Sequence, residues 1–402
     1  MPHSSGLSGF RHKIILKINS MKKMKELKKK NISKKPRKTL HPADKGKRKT
    51  GIKKKKQFTT FKFFKMPRFI GRAIHYVILA SAVVIVLFCV LLINYATNSI
   101  DNEKNITVLV EIPTGSSFLK VTEILNQAGL VKSRLFFYSL AMTKRATRSI
   151  RAGEYEFNTS LTPVAVIDKL IRGEIKTYLV TIPEDFSMKE IAIRLAYSKL
   201  IDEETFFELA RDENFLESLG IKADSIEGYL FPDTYLFDRS MSTRQIMKIM
   251  VSQFWKKVTP EMFKTAGELG FNPHQFVAFA SIVGKESGDN AEKPMISAVF
   301  HNRLKKKMRL QSDPTAVYDL DSFDGKVLLK HLKRNSPYNT YIIRGLPPGP
   351  IANPGLTSLR AALYPASVNY LYFVSKKDGS HYFSASLDMH NQAKYRYRTR
   401  KK

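Results

Sequence analysis

The sequence predicts an α+β protein. A single membrane-spanning helix comes first, then two copies of a small α/β unit, then a C-terminal mixed α/β module. Three observations lead there. An apolar run covers residues 74–95, and apolar and proline positions recur at a fixed offset between residues 100 and 258. From residue 259 to 393, segments with 3.6-residue apolar spacing alternate with Pro- and Gly-rich loops.

Residues 1–72 hold 25 lysines and arginines against two acidic residues, Glu26 and Asp44, a net +23 of the chain's +33. Runs such as Lys53–Lys56 invite a nucleic-acid reading, which would require salt-sensitive DNA retention by residues 1–72 alone. Few aromatics precede Phe58 and no groove-reading motif is present, so no nucleic-acid partner is expected. The composition predicts a disordered tail, and its place beside an apolar run suggests anionic-lipid contact or control of topology. Residues 394–402 form a second, short basic tail.

The run from Ile74 to Tyr95 has His75, Ser81 and Asn94 as its clearly polar members. It spans the roughly 20 residues a helix needs to cross a bilayer. The span is placed at residues 73–95, with Tyr76 and Tyr95 where interfacial aromatics belong. Arg68 and Arg72 put its N-terminal side in the cytoplasm by the positive-inside rule, and no small-residue cleavage site follows. The expectation is a retained single-pass anchor in the inner (cytoplasmic) membrane, with the C-terminal part outside the cytoplasm. A buried core helix is the competing reading. Cys89, the only cysteine, lies within the run, so the exported part has no intramolecular disulfide and must rest on its own core.

Residues 100–175 and 176–258 read as two copies of one unit. Ile112-Pro113 matches Ile182-Pro183, Val121 matches Ile191, Leu125 matches Leu195, and Phe136-Phe137 matches Phe206-Phe207, all 70 residues apart. Tyr155 and Phe157 match Tyr235 and Phe237 at 80, so the second copy carries an insertion between Asn214 and Gly228. Each copy predicts a strand (107–112; 178–182), an amphipathic helix, a second strand near Tyr155 or Tyr235, and a last helix (163–172; 242–254). Mixed sheets are expected. The strand, proline and amphipathic helix resemble LysM-like modules that hold glycan chains, although periodicity fits a purely structural role equally.

In the last module Asn272 is placed to cap a helix, with Pro273 at its first position. Phe279, Ile282, Val283 and Glu286 then share one face. A carboxylate ending a core-facing stripe is partly desolvated, which raises its pKa and favours the acid that can protonate a leaving group. Glu286 is therefore the catalytic candidate; the competing reading has it in water or paired with Lys285 or Arg303. Ile296, Val299, Phe300, Arg303 and Leu304 predict a second amphipathic helix. No His-Glu-x-x-His, Cys-pair, Gly-x-Ser-x-Gly or phosphate-loop spacing occurs, so neither metal nor cofactor is expected, and His301, His381 and His390 are expected to satisfy backbone groups.

Four strings taken in order are more specific: Glu227-Gly-Tyr-Leu-Phe-Pro-Asp-Thr-Tyr235, Ala280-Ser-Ile-Val-Gly-Lys-Glu-Ser287, Gln311-Ser-Asp-Pro-Thr315 and Gly345-Leu-Pro-Pro-Gly-Pro-Ile351. With Tyr338-Asn-Thr340 and Asn353-Pro-Gly355, they resemble the MltG/YceG-like family of endolytic murein transglycosylases over residues 108–392. The resemblance implies a LysM-like region followed by a mixed α/β catalytic module at 259–393. It also implies non-hydrolytic cleavage of the MurNAc-β-1,4-GlcNAc bond of peptidoglycan, leaving 1,6-anhydroMurNAc ends and limiting nascent strands.

On that reading Glu286 is the general acid and then the base. The substrate's own C6 hydroxyl replaces the second carboxylate that ordinary glycosidases use. Gln311, Tyr338, Asn339 and Thr340 become candidates for binding sugar hydroxyls and acetamido groups. Asp313 is a further candidate, or else a cap on the turn before Pro314. Glu227 and Asp233 either line the cleft or brace the insertion. Peptidoglycan synthases are partners the family suggests. The family commonly has glutamate where Gly284 stands, which keeps a second reading open: a membrane-tethered glycan-binding or assembly protein without activity.

Overall fold

The computed structural model describes residues 68–100, 105–148, 150–320 and 322–399. The expected disorder of the basic N-terminal tail falls outside the described residues. Helix α1 (Arg68–Thr97) contains one stretch, Arg72–Thr97, of mean hydropathy 3.1 with none of it buried, long and apolar enough to cross a membrane. Its last turns meet the first small unit, where the Phe88 and Tyr95 rings lie 5.5 and 5.6 Å from that of Phe136.

The first unit runs β1 (Thr107–Ile112), α2 (Phe118–Gln127), α3 (Arg134–Thr143), a 3-10 turn (Ala146–Arg148), β2 (Gly153–Asn158) and α4 (Pro163–Arg172). Ser117, Ser133 and Thr162 cap its helices by accepting N–H bonds of the first turn. Gly173 ends α4 at φ +62°, the left-handed backbone that glycine adopts without a Cβ penalty. The second unit has the same order with one helix added: β3 (Tyr178–Thr181), α5 (Met188–Tyr197), α6 (Glu203–Leu209), α7 (Glu213–Ser218), β4 (Thr234–Phe237) and α8 (Thr243–Lys257). Helix α7 falls in the stretch expected to hold the insertion.

The two units agree in detail. Val110 faces Tyr155 across the first strand pair, and Val180 faces Tyr235 across the second. Each tyrosine donates its hydroxyl to a carbonyl four residues back, Tyr155 to Arg151 at 2.8 Å and Tyr235 to Phe231 at 2.6 Å. Two expectations need correction. The strands form antiparallel pairs and no mixed sheet among the described residues, because the helical excursion between them returns the chain reversed. Of Phe136-Phe137 and Phe206-Phe207, the fully buried members are Phe137 and Phe206, 69 residues apart rather than 70. The turn from Ala128 to the cap Ser133 is one residue longer than that from Ser198 to the cap Asp202.

The C-terminal module comprises α9 (Pro260–Glu268), α10 (Pro273–Glu286), α11 (Lys293–Lys305), α12 (Asp313–Val317), α13 (Leu329–Leu332), α14 (Leu356–Leu363), β5 (Tyr372–Ser375), β6 (His381–Ser384) and α15 (Leu387–Thr399). Asn272 and Gln275 form a reciprocal capping box at the start of α10. Every residue from Phe276 to Gly284 is buried, so α10 is the module's central helix. Apolar burial divides into two cores. One, from Ile100 to Leu170, belongs to the first unit. The other is continuous from Val180 to Leu363, so the second unit and the C-terminal module share a single interior.

Candidate active site

Glu286 is the last residue of α10 and is partly exposed, at the point where the buried stripe ends. Its Oε1 accepts a 2.5 Å bond from the Ser312 hydroxyl, just before α12. Loss of hydration pushes its carboxyl up to about 7; the Ser312 bond opposes the shift and the Asp313 charge adds to it. Neither ion pair of the competing reading forms. Lys285 reaches Glu190 on α5 at 3.1 Å, and Arg303 donates to the carbonyls of Leu310 and Leu371.

A second carboxyl is in the same condition. Glu227 is 2% exposed and lies between the second unit and the C-terminal module. Met188 N–H at the start of α5 donates to both its oxygens, the Asn353 amide donates to Oε1 at 2.7 Å, and the Tyr318 hydroxyl donates to Oε2 at 2.9 Å. Burial pushes it up to about 7 against these bonds. Asn353, itself fully buried, also accepts the N–H groups of Gly228 and Leu230. Gly228 has φ +91° and packs so closely on Pro350 and Val277 that no side chain fits there. Strings far apart in sequence thus close around Glu227. Chain position alone offered no sign that Glu227 ranks with Glu286.

A cleft of about 500 Å³ runs between α5 and α12, with Ser187, Glu190 and Ile193 on one side and Asp313, Val317 and Tyr318 on the other. Lys285 and Ile351 also line it. Asp313 is at its wall; its carboxylate accepts the Tyr341 hydroxyl at 2.5 Å rather than capping the turn. Tyr338 is half-buried, its ring 4.8 Å from that of Tyr318. Gln311 is exposed, at φ +50°, with its N–H on the Thr340 carbonyl.

Three other candidates turn inward. The Asn339 amide donates to the carbonyls of His331, Leu332 and Arg334, and the Thr340 hydroxyl accepts Ser312 N–H and bonds Thr315. Both are fully buried, so they brace the loops rather than face the cleft. Asp233 accepts the Gln253 amide at 2.6 Å and ties β4 to α8. Of the histidines, His301 bonds the Ala362 carbonyl as expected, whereas His381 pairs with the Glu292 carboxylate and His390 Nδ1 has no hydrogen-bond partner among the described residues. Among the described residues no cluster of three or more His, Cys, Asp or Glu could hold a metal ion.

Sequence reasoning passed over Tyr318, Ser312 and Asn353. Asn353 and Ser312 lie in visible strings, Asn353-Pro-Gly355 and Gln311-Ser-Asp-Pro-Thr315; Tyr318 carries no local signal, because its partner is 91 residues away.

The described residues define an α+β protein with one helix long and apolar enough to cross a membrane and a cleft beside which two carboxyls, Glu286 and Glu227, are pushed up to about 7. The model of the YceG-like family matches residues 110–396. An endolytic murein transglycosylase of Bacillus subtilis is 36% identical over 318 residues, covering 74% of this chain and 87% of that protein. One from Streptococcus pneumoniae is 28% identical, and the match covers 73% of this chain but 59% of that longer protein. The crystal structure of a yceG-like protein from Listeria monocytogenes aligns over 72% of this chain and all of its own, at 33% identity and a TM-score of 0.50. This chain belongs to the YceG-like family.

Proposed function

We propose that this protein is an endolytic murein transglycosylase that cuts the MurNAc-β-1,4-GlcNAc bond without water. Membership of the family carries the reading, together with a carboxyl tuned to about 7 beside the cleft. Glu286, in its acid form, protonates the glycosidic oxygen as the bond to the muramoyl C1 breaks. The resulting glutamate takes the C6 hydroxyl proton while that oxygen closes on C1. The proton returns to Glu286, and the ring ends as 1,6-anhydroMurNAc. Asp313, Tyr338 and Gln311 contact the sugars, while Asn339, Thr340 and Asp233 hold the loops behind them.

A second reading gives the acid–base role to Glu227. Its specific support is that Tyr318 of the cleft wall bonds it, that its pKa is also about 7, and that Asn353 ties it to residues 228–230. Against it, donors occupy both its oxygens.

The two small units serve as LysM-like holders of the glycan; the helical excursion between paired strands, two α-helices in the first unit and three in the second, supports this. Helix α1 anchors the protein once in the cytoplasmic membrane. The basic flank favours a cytoplasmic N-terminus, with the cleft on the far side near peptidoglycan synthases.

The test is mass spectrometry of glycan strands incubated with the detergent-solubilised full chain, Glu286→Gln and Glu227→Gln. Fragments one water lighter than hydrolytic ones support the reaction, and whichever variant alone loses them identifies the acid. Hydrolysed ends would make the protein an ordinary glycosidase. Binding without cleavage by wild type would leave a tethered glycan-binding protein.

A further inference from the structure

Lys293 opens α11 with 2% exposure, so its ammonium needs a counter-charge. None comes from its own helix. Asp185, in the turn after β3, reaches it at 3.1 Å, and the Ser358 hydroxyl bonds it at 2.9 Å. Glu184 stands 3.6 Å away. Asp185 does this from φ +63°, a backbone conformation uncommon for a residue with a side chain. The space its carboxylate fills exists because position 284 is glycine: a Cβ on Gly284 would overlap Asp185 Oδ1. Glu184 fills the corresponding space at Gly355 and accepts the Thr357 hydroxyl at 2.7 Å. Two acidic residues of one turn thus dock on two glycines of the C-terminal module.

The docking reaches both carboxyls of the site. Asp185 N–H donates to the Asn353 carbonyl at 3.0 Å, and Asn353 N–H donates to the Phe186 carbonyl at 2.8 Å. The Asn353 amide then holds Glu227. On the other side Gly284 lies one residue short of Lys285 and two short of Glu286 on the same helix.

We propose that Asp185 is a positioning residue for the acid. From the second unit it supplies, beside Gly284, the carboxylate that neutralises Lys293 and clamps the 184–186 turn between Asn353 and the end of α10. The site takes one carboxylate at that point, delivered from 185 or from 284 but not from both. Gly284 is then half of an exchange rather than a sign of lost activity. The proposal rests on the transglycosylase reading for its kinetic test and is independent of it for its stability test.

The detergent-solubilised full chain is compared as wild type, Asp185→Asn, Asp185→Gly, Gly284→Glu and the Asp185→Gly/Gly284→Glu double variant, by thermal melting and by rates of anhydro-end formation. Asp185→Asn keeps the shape and loses the charge. It should lower kcat about tenfold with KM within about twofold of wild type, a pattern that simple loss of folded protein does not mimic in active-site-normalised rates. Each glycine–acid single variant should melt lower than wild type. The double should regain the melting temperature and most of kcat, because the glutamate side chain introduced at position 284 enters the space Asp185 has left. An Asp185→Asn variant with wild-type kcat, or a double no better than its worse parent, would overturn the proposal. If Gly284→Glu alone does not fold, recovery in the double is the stronger support. If wild type makes no anhydro ends, the transglycosylase reading fails, and recovery of melting in the double still decides the exchange.

Discussion

The Tyr318 hydroxyl donates to Glu227 Oε2 at 2.9 Å, joining a wall of the cleft to a carboxyl that is itself 2% exposed. Ser312 makes the corresponding bond to Glu286 at 2.5 Å. Each hydroxyl stabilises the ionised form of its carboxyl and holds down a pKa that burial raises. Removing either bond should therefore push the pKa of its own partner further up.

Tyr318→Phe and Ser312→Ala accordingly separate the two carboxyls. A general acid must be protonated, so kcat/KM should fall as pH rises through about 7, the value both groups share. If Glu286 is the acid, Ser312→Ala moves this alkaline limb to higher pH and Tyr318→Phe leaves it in place. The reverse pattern assigns Glu227. Profiles of anhydro-end formation between pH 5 and pH 9, roughly two units either side of the shared pKa, decide the matter.

The same shifts bear on stability. Each carboxyl has an ordinary value of 4.5 and a folded value of about 7, so between these pH values the folded chain holds protons that the unfolded chain has released. Their contribution is fully present below about 4.5 and is lost as pH rises through about 7. The wild-type melting temperature should thus fall across this window relative to Glu227→Gln, whose buried amide does not titrate. Parallel curves for the two proteins would mean that Glu227 is ionised throughout.

Asn353 carries more of the site than its place in a loop suggests. It is fully buried, accepts two N–H groups through one oxygen, and donates to both Phe186 and Glu227. Asn353→Ala takes the acceptor from the Gly228 and Leu230 N–H groups, at about 1–3 kcal/mol for each one left unsatisfied, and one donor from Glu227, which keeps Met188 and Tyr318. A large fall in melting temperature is expected, with anhydro-end formation lost in the fraction that stays folded. Asn353→Asp retains the acceptor but brings a charge against Glu227, and should fold yet turn over slowly. Wild-type turnover in the aspartate variant would show that Asn353 does not position Glu227.

Much of this was legible because the signals were local. Pro163 to Arg172 and Pro273 to Glu286 are bounded in the structure as their caps, prolines and apolar spacing predict. The buried faces of the first two strands follow from Val110, Ile112, Tyr155 and Phe157. The acidity of Glu286 followed from where its stripe ends. What escaped depends on distance along the chain. Glu227 becomes a buried, tuned carboxyl only when Met188, Tyr318 and Asn353 close over it, and no period in the sequence links those positions. Asn339 and Thr340 looked like sugar ligands because polar residues in a Pro- and Gly-rich region usually face outward. Here the Asn339 amide turned in to supply donors to loop carbonyls, and the Thr340 hydroxyl turned in to accept the Ser312 N–H.

The division of the interior gives the last prediction. Phe137 belongs to the core from Ile100 to Leu170, and its counterpart Phe206 to the core from Val180 to Leu363 that also contains α10. Both are fully buried, and truncation of either to alanine should cost about 3–5 kcal/mol. The consequences should differ. Phe206→Ala loosens the interior on which Glu227 and Glu286 rest, so melting temperature and turnover should fall together. Phe137→Ala weakens the first unit alone, so calorimetry should show an early transition separating from a later one that keeps its wild-type temperature. Turnover of short glycans at temperatures below that early transition should be preserved. A single transition, lowered equally by both substitutions, would mean that the two cores unfold as one and that the first unit is structurally required by the site.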